Sequence, residues 1–306
     1  MVDVGLVFQK MLVLLIMMCI GYAAGKTKVM TAESNHCLSL LINRVTLPCM
    51  LLYASVSGEK ALTNGQVFLL LALFFAGFAL NIAAGMLFRR LLRPGQEHGG
   101  IYELLMVFPN SAFIGVPVAS AIYGPIAVFC ISVLNLPFYV MLYTYGVKLF
   151  QSDKKAKIDL RQMCSPLMIT SILGMALYLC GVRLPALLTE PMQTIGQIST
   201  PGAMMLVGST LAGVRLKNVL RDWRLPVMAL EKLVLLPVLT SLVFGLFVRD
   251  EMMLGILILL AAMPSASSAS LLAAEYGKDE ELAAEGVFLT TIFSVLTIPL
   301  MVMLLL

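Results

Sequence analysis

Two stretches decide how this chain folds: Phe108-Pro109-Asn110-Ser111-Ala112-Phe113-Ile114-Gly115-Val116-Pro117 and Met263-Pro264-Ser265-Ala266-Ser267-Ser268-Ala269-Ser270, each set inside a long apolar run. Proline removes an amide donor and clashes with the carbonyl four residues back, and glycine weakens a helix further. Asn and Ser side chains then offer partners to the freed backbone. The first helix is therefore predicted to open between Asn110 and Gly115, and the second after Pro264. Unpaired backbone at membrane depth survives only where protein or a water-filled cavity surrounds it, so two such segments in corresponding places point to a binding site. Opened half-helices turn positive dipole ends and free N–H groups toward that site, which suits a carboxylate or another anion. The alternative is that Pro109 and Pro264 only kink their helices and the serines bond back to their own carbonyls.

The rest of the chain makes these runs membrane spans. Of 306 residues, 60% are hydrophobic and only 12% charged, with a mean hydropathy of +0.95. A soluble domain carries about 25% charged residues, so the apolar excess must face lipid. Disorder, a secreted disulfide scaffold and a nucleic-acid binder are excluded together. Ten spans are expected, at 5–25, 34–57, 65–88, 101–122, 125–147, 163–182, 191–213, 225–248, 252–276 and 282–305. Crossing the hydrocarbon takes about 20 helical residues. Of the 21 Lys and Arg residues, 15 fall in loops that follow odd-numbered spans, 3 on the opposite side and 3 inside spans. That bias places both termini outside. Asp3 and the lack of a basic start argue against a signal peptide.

An offset of 153 residues recurs: Pro48 with Pro201, and Tyr123-Gly124 with Tyr276-Gly277. The predicted organisation is a first five-helix repeat over 1–150, a basic cytoplasmic linker over 151–162 containing Lys154, Lys155 and Lys157, and a second repeat over 163–306. Two copies of an odd number of spans must lie upside down relative to each other, the inverted-repeat plan of many secondary transporters.

Candidate substrate-binding residues are Asn110, Ser111 and Gly115 in the fourth span, Asn135 in the fifth, Ser265, Ser267 and Ser268 in the ninth, and Lys232 in the eighth. Lys232 is the candidate positive charge beside an anion; its alternative is a snorkelling or locally paired lysine. Pro109, Pro117, Pro264, Pro48 and Pro201 are the helix breakers, and Arg44 and Glu275 are candidates for coupling or gating. Asn135 and Tyr139, one turn apart, face either the same cavity as Asn110 or a neighbouring helix. All six aspartates lie at termini or in loops, so a two-carboxylate cation exchanger is disfavoured. His36 and His98 lie at span ends, leaving no serine–histidine pair and no metal cluster. The six cysteines have no CxxC spacing, and no phosphate-binding loop is present, so no enzyme activity, cofactor or ATPase motor is expected.

In order and spacing, Pro109-Asn110-Ser111 through Gly115-Val116-Pro117 to Tyr123-Gly124, then Ala274-Glu275-Tyr276, with Ile42-Asn43-Arg44 before Pro48 and a basic residue five before Pro237, resemble the auxin efflux carrier family of permeases. The resemblance covers nearly the whole chain. It implies a ten-helix fold similar to bile-acid symporters and sodium/proton antiporters, with spans one, two, six and seven as scaffold and the others as a transport part. In such proteins the fourth and ninth helices cross at their proline breaks, and an elevator-like movement carries an organic anion. By position, Asn110 matches the crossover asparagine and Asn135 a substrate-facing residue of the fifth span. The hydrophilic centre is short, as in the bacterial branch, whose members are associated with small carboxylates such as malonate and malate. The expected protein is thus a multi-pass carrier in the inner or plasma membrane, with an organic anion and the bilayer as partners, no nucleic acid, and a homodimer as one possible assembly. A sodium- or proton-coupled symporter of the same fold is the first alternative, and a membrane-embedded sensor or enzyme that binds an anion the second.

Overall fold

The computed structural model describes residues 4–57, 60–150, 165–213 and 222–305. Among these the regular secondary structure is helical, apart from one isolated antiparallel bridge between Pro109 and Ser265. Six helices are long and apolar enough to cross a membrane: Phe8–Lys26, Ala32–Val56, Asn64–Leu92, Pro125–Phe150, Arg224–Phe244 and Glu280–Leu305. They leave large side chains such as Phe8, Ile20, Phe68 and Leu296 exposed, as lipid-facing surfaces do and water-facing ones rarely do. The protein is a multi-pass membrane protein. The expected basic linker at 151–162 lies outside the described residues.

The remaining expected spans are interrupted or short. The run 101–122 divides into α5 (Gln96–Val107) and α6 (Val116–Tyr123), and 252–276 into α14 (Glu251–Ala261) and α15 (Ser268–Glu275). The run 191–213 divides at Ile198 into α10 (Ala186–Gln197) and α11 (Ser199–Gly213). Within 163–182 the described helix is α9 (Pro166–Leu179). Before these come α1 (Val4–Lys26), α2 (Ala32–Leu41), α3 (Leu47–Val56) and α4 (Asn64–Leu92). The others are α7 (Pro125–Met141), α8 (Val147–Phe150), α12 (Arg224–Leu230), α13 (Leu236–Phe244) and α16 (Glu280–Leu305).

Prolines shape the helices in one repeated way. Of the four widened turns among the described residues, three, Ile42–Thr46, Ser111–Gly115 and Glu231–Leu235, end two residues before a proline (Pro48, Pro117 and Pro237), whereas Leu142–Gly146 is followed by none. The carbonyls four residues before these prolines belong to Arg44, Phe113 and Leu233, inside the widened turns. A ring that cannot donate and that crowds this carbonyl is accommodated by letting the coil expand locally to π geometry. Expanded turns of this kind are frequent at functional sites.

Contacts divide the chain into two compact units. Unit one comprises Met1–Ala72, Ala112–Pro137 and Gln162–Gly213. In it α1 packs along α11, while α9 and α10 pack on α3. A Cβ on Gly21 would collide with the Met205 backbone, and one on Gly208 with the Met18 carbonyl. Helices in lipid associate by this kind of close approach, because no hydrophobic gain separates helix from lipid. Unit one also joins Thr46 and Ser199, whose buried hydroxyls are 2.9 Å apart and which are 153 residues apart in sequence. Unit two comprises Leu73–Ser111, Phe138–Arg161 and Val214–Leu306. In it α16 packs against α5, α12, α14 and α15.

Candidate functional site: two broken helices meeting in unit two

At the break between α5 and the turn beginning at Ser111, residues Phe108, Pro109 and Asn110 are extended and buried. The break between α14 and α15 spans 262–267. The opening at the first break therefore begins two residues earlier than Asn110, and the stretch expected to be open continues from Ser111 as a π turn. The two breaks run antiparallel and pair: the Asn110 amide donates to the Pro264 carbonyl at 2.7 Å, and the Ala266 amide to the Phe108 carbonyl at 2.9 Å.

Ending α5 at depth orphans its last carbonyls, and each finds a donor from a different place. Ser265 Oγ donates to Leu105 O at 2.7 Å. Lys232 Nζ donates to Met106 O at 2.7 Å. Asn81 Nδ2, from α4, donates to Val107 O at 3.2 Å. With Ala266 on Phe108 O, four consecutive carbonyls are satisfied. Orphaned carbonyls buried in hydrocarbon would cost several kcal/mol each, on the order of the price of an unpaired backbone group there. The carbonyl end of a helix is also its negative end, so a cation complements it. Lys232 itself is fully buried. Its position follows from the widened turn Glu231–Leu235 before Pro237.

Further contacts stiffen the crossing. The Ser265 amide donates to Thr290 Oγ1 at 3.1 Å, and that hydroxyl donates to the Gly286 carbonyl at 2.8 Å. Phe108 lies in an aromatic group with Phe78 and Phe138, with ring centroids 5.8 and 5.6 Å from its own. Nearer the start of α5, buried Glu103 accepts from Arg89 at 3.2 Å and from the Tyr145 hydroxyl.

The other candidate residues separate by environment. Asn110 and Ser111 are buried at the crossing. Ser265 is fully buried, with both its amide and its hydroxyl engaged. Ser267 is exposed, and the Ser268 hydroxyl is buried without a hydrogen-bond partner among the described residues. These two serines stand at the start of α15, where the first-turn amides have no intrahelical acceptor. Pro109 and Pro264 sit in the breaks; Pro117 begins α6 and Pro48 begins α3, both buried, while Pro201 in α11 is exposed. Glu275 closes α15 at an exposed position.

Arg44, Gly115 and Asn135 belong to unit one. Arg44 is exposed inside the first widened turn. Gly115 ends the second. Asn135 is buried on α7, and its Nδ2 donates to Ser171 Oγ at 3.3 Å. Unit one also contains a cavity of about 210 Å³ lined by Tyr53, Ser120, Gln193 and Gln197 among others. Sequence reasoning passed over Asn81 and Thr290, which brace the crossing. Asn81 carried a signal, as a lone amide in the apolar run from Val67 to Leu87.

Interrupted helices that pair inside a multi-pass helical protein are a feature of many membrane transporters, and the relatives put this chain in that class. The profile of the family described as membrane transport protein matches residues 6–302, so the chain belongs to that family, the auxin efflux carriers and their relatives. An uncharacterized transporter of Methanocaldococcus jannaschii is 25% identical over 301 residues, covering 94% of this chain and 96% of its own. An uncharacterized transporter of Methanothermobacter thermautotrophicus is 26% identical over 298 residues, covering 95% and 96%.

Proposed function

We propose that this transporter carries small organic anions, carboxylates such as malonate or malate among them, across the cell membrane by elevator-type alternating access. The observation that carries the reading is the antiparallel pairing of the two broken helices through Asn110 and Pro264, with the buried Lys232 Nζ on the adjoining Met106 carbonyl. Asn110, Ser111, Ser267 and Ser268 hold the carboxylate, while Ser265 and Lys232 brace the crossing and Lys232 lends it positive potential. Neutral donors and helix ends in a water-poor site bind an anion without a counter-ion.

The same fold reading takes ten crossings arranged as two inverted five-helix repeats, 1–150 and 163–306, with both termini outside. Three observations support it. Thr46 and Ser199, at the recurring 153-residue offset, are hydrogen-bonded. The first helix of one half packs on α11 and the first helix of the other on α3, so each half's opening span pairs with the other half's second. Each compact unit draws on both halves. Such interleaving is what two inverted repeats produce.

The second reading is coupling to sodium or protons. A cation would have to compete with Lys232, Ser265, Asn81 and Ala266 for the opened carbonyls, which favours the uncoupled carrier. In proteoliposomes, Asn110→Leu is expected to abolish uptake of radiolabelled malonate or malate while the protein stays inserted and folded. Normal uptake by that variant refutes the assignment. Uptake that vanishes without an imposed sodium or proton gradient would establish the coupled reading instead.

A further inference from the structure

The end of α4 and the start of α12 meet at the basic end of unit two. Arg224 Nε donates to the Leu92 carbonyl at 3.1 Å, so a side chain of α12 satisfies the last residue of α4. The same guanidinium lies over the Trp223 ring, 5.5 Å from its centroid, and its Nη1 faces Asp222 at 3.4 Å. Arg224 thus joins Trp223 to the end of α4. Next to this junction both helices turn apolar faces outward: Leu87 and Leu91 on α4, Val227 and Leu230 on α12. At about 1.5 Å per residue the 29 residues of α4 extend about 43 Å, against a hydrocarbon layer of about 30 Å, so its last turn reaches the headgroup region. Tryptophan concentrates at that level of a bilayer, and Trp223 is 58% exposed there.

Of the arginines at this end, Arg89 is paired with buried Glu103 at 3.2 Å, and Arg224 is engaged by Leu92 and Asp222. Arg90 and Arg93 are exposed, and their guanidinium groups have no hydrogen-bond or ion-pair partner among the described residues. Glu97, the carboxylate nearest in sequence, is exposed in the first turn of α5, where the helix dipole favours it. Arg93 also has a backbone φ of +44°. Glycine is the usual residue in that conformation after a helix, because a Cβ is crowded there. An arginine kept there at a cost, with its charge unused by the described residues, points to a partner outside the chain.

We propose that Arg90 and Arg93 hold the phosphodiester headgroup of an anionic phospholipid such as phosphatidylglycerol, with Trp223 against its glycerol region and the exposed faces of α4 and α12 along its acyl chains. Guanidinium groups take phosphate oxygens in paired, charge-assisted hydrogen bonds. Basic clusters at the ends of membrane helices attract anionic lipids, and an apolar flank beside the cluster admits the lipid chains as well as the headgroup. Arg224 is a positioning residue that keeps Trp223 beside the end of α4. The lipid is a component of the folded protein and not cargo, so the site stands apart from the anion-carrier reading. In the topology proposed above it belongs to the inner leaflet, and the test below reads it in either leaflet.

The sequence contains a single tryptophan, so fluorescence quenching reports on this position alone. The full-length purified protein is placed in nanodiscs of phosphatidylcholine and phosphatidylglycerol, with one lipid at a time brominated near the top of its acyl chains, where bromine quenches tryptophan on contact. At equal mole fractions, brominated phosphatidylglycerol is expected to quench Trp223 several-fold more strongly than brominated phosphatidylcholine. Arg93→Gly removes the guanidinium and relieves the backbone, so the melting temperature is expected to hold or rise while the preference for phosphatidylglycerol falls about fivefold, the attraction of one basic residue at a membrane surface. Arg90→Gln, which leaves the backbone at Arg93 untouched, is expected to lower the preference by a similar factor. Equal quenching by the two lipids in the wild type, or an unchanged preference in both variants, overturns the site. Glycerol 3-phosphate and inorganic phosphate are added separately as soluble competitors; the preference is expected to survive both, and its loss to either means that the arginines take a soluble phosphate and overturns the lipid assignment.

Discussion

At the residue scale, the serines after Pro264 have separate tasks that the sequence presents as one repeated type. Ser265 is fully buried and gives its hydroxyl to Leu105 O, whereas Ser267 is exposed at the start of α15. Ser265→Ala leaves the Leu105 carbonyl without that donor and is expected to lower unfolding stability by about 1–3 kcal/mol. Ser267→Ala is expected to leave stability within about 0.5 kcal/mol of wild type, as surface substitutions do, while weakening anion uptake. Denaturation of the detergent-solubilised variants, followed by intrinsic fluorescence, measures the first contrast, and radiolabel uptake the second. Lys232 divides charge from hydrogen bond in the same manner. Lys232→Gln retains a donor for Met106 O and Lys232→Met does not. The methionine variant is expected to be less stable than the glutamine variant by about 1–3 kcal/mol, the cost of a buried unpaired carbonyl. Equal stability would mean that the bond to Met106 contributes nothing.

At the element scale, the end of α5 is stabilised by other elements more than by its own turns. Its carbonyls take donors from α4, from the turn before α13 and from the second break, so the half-helix is specified by long-range contacts. The pair α1 and α11 shows the opposite situation, in which small residues alone allow the contact. Gly208→Ala puts a Cβ against the Met18 carbonyl, a backbone atom that cannot rotate away. Separating the two helices is expected to cost about 1–3 kcal/mol, as overpacking of a close contact does, and to lower the melting temperature. An unchanged melting temperature would show that α1 can shift freely along α11. The widened turns before Pro48, Pro117 and Pro237 belong to this scale too, because each is a local answer to one ring.

At the scale of the whole molecule, the proposed topology makes a prediction independent of substrate. With both termini outside and the basic loops inside, a cysteine introduced by Lys154→Cys in a cysteine-free background is expected to react with an impermeant maleimide only after the vesicles are opened. A cysteine introduced by Arg183→Cys, exposed in the outside loop between the sixth and seventh expected spans, is expected to react in intact right-side-out vesicles. The reverse pattern would invert the topology. Counterflow without any ion gradient is likewise a whole-molecule property, since it needs the site to face each side in turn. Its absence, where binding persists, would favour a receptor that holds the anion and does not move it.

Much of the fold was legible in residues 1–306 because the bilayer imposes few solutions. A chain with 60% hydrophobic residues, divided into runs of spanning length, must become membrane helices, and prolines with small polar neighbours must interrupt them. The motif around Asn110 and the serines after Pro264 marked both breaks, and the family resemblance followed from their order. The sequence could not tell that the Phe108 and Pro264 backbones pair, that Lys232 ends on Met106 O, or that Asn81 and Thr290 are needed there. Periodicity reports which face of a helix is apolar, but partners 25 to 160 residues away are chosen by how the helices pack. Asn135 and Ser171 illustrate the limit: one reads as a single amide in an apolar run and the other as half of the Thr170-Ser171 pair, and only their approach to 3.3 Å joins them. The linear order of residues determined that this protein crosses a membrane and where its helices break; packing in three dimensions decided which donors meet the broken ends, because burial without water leaves each such group needing a partner that only the fold can bring.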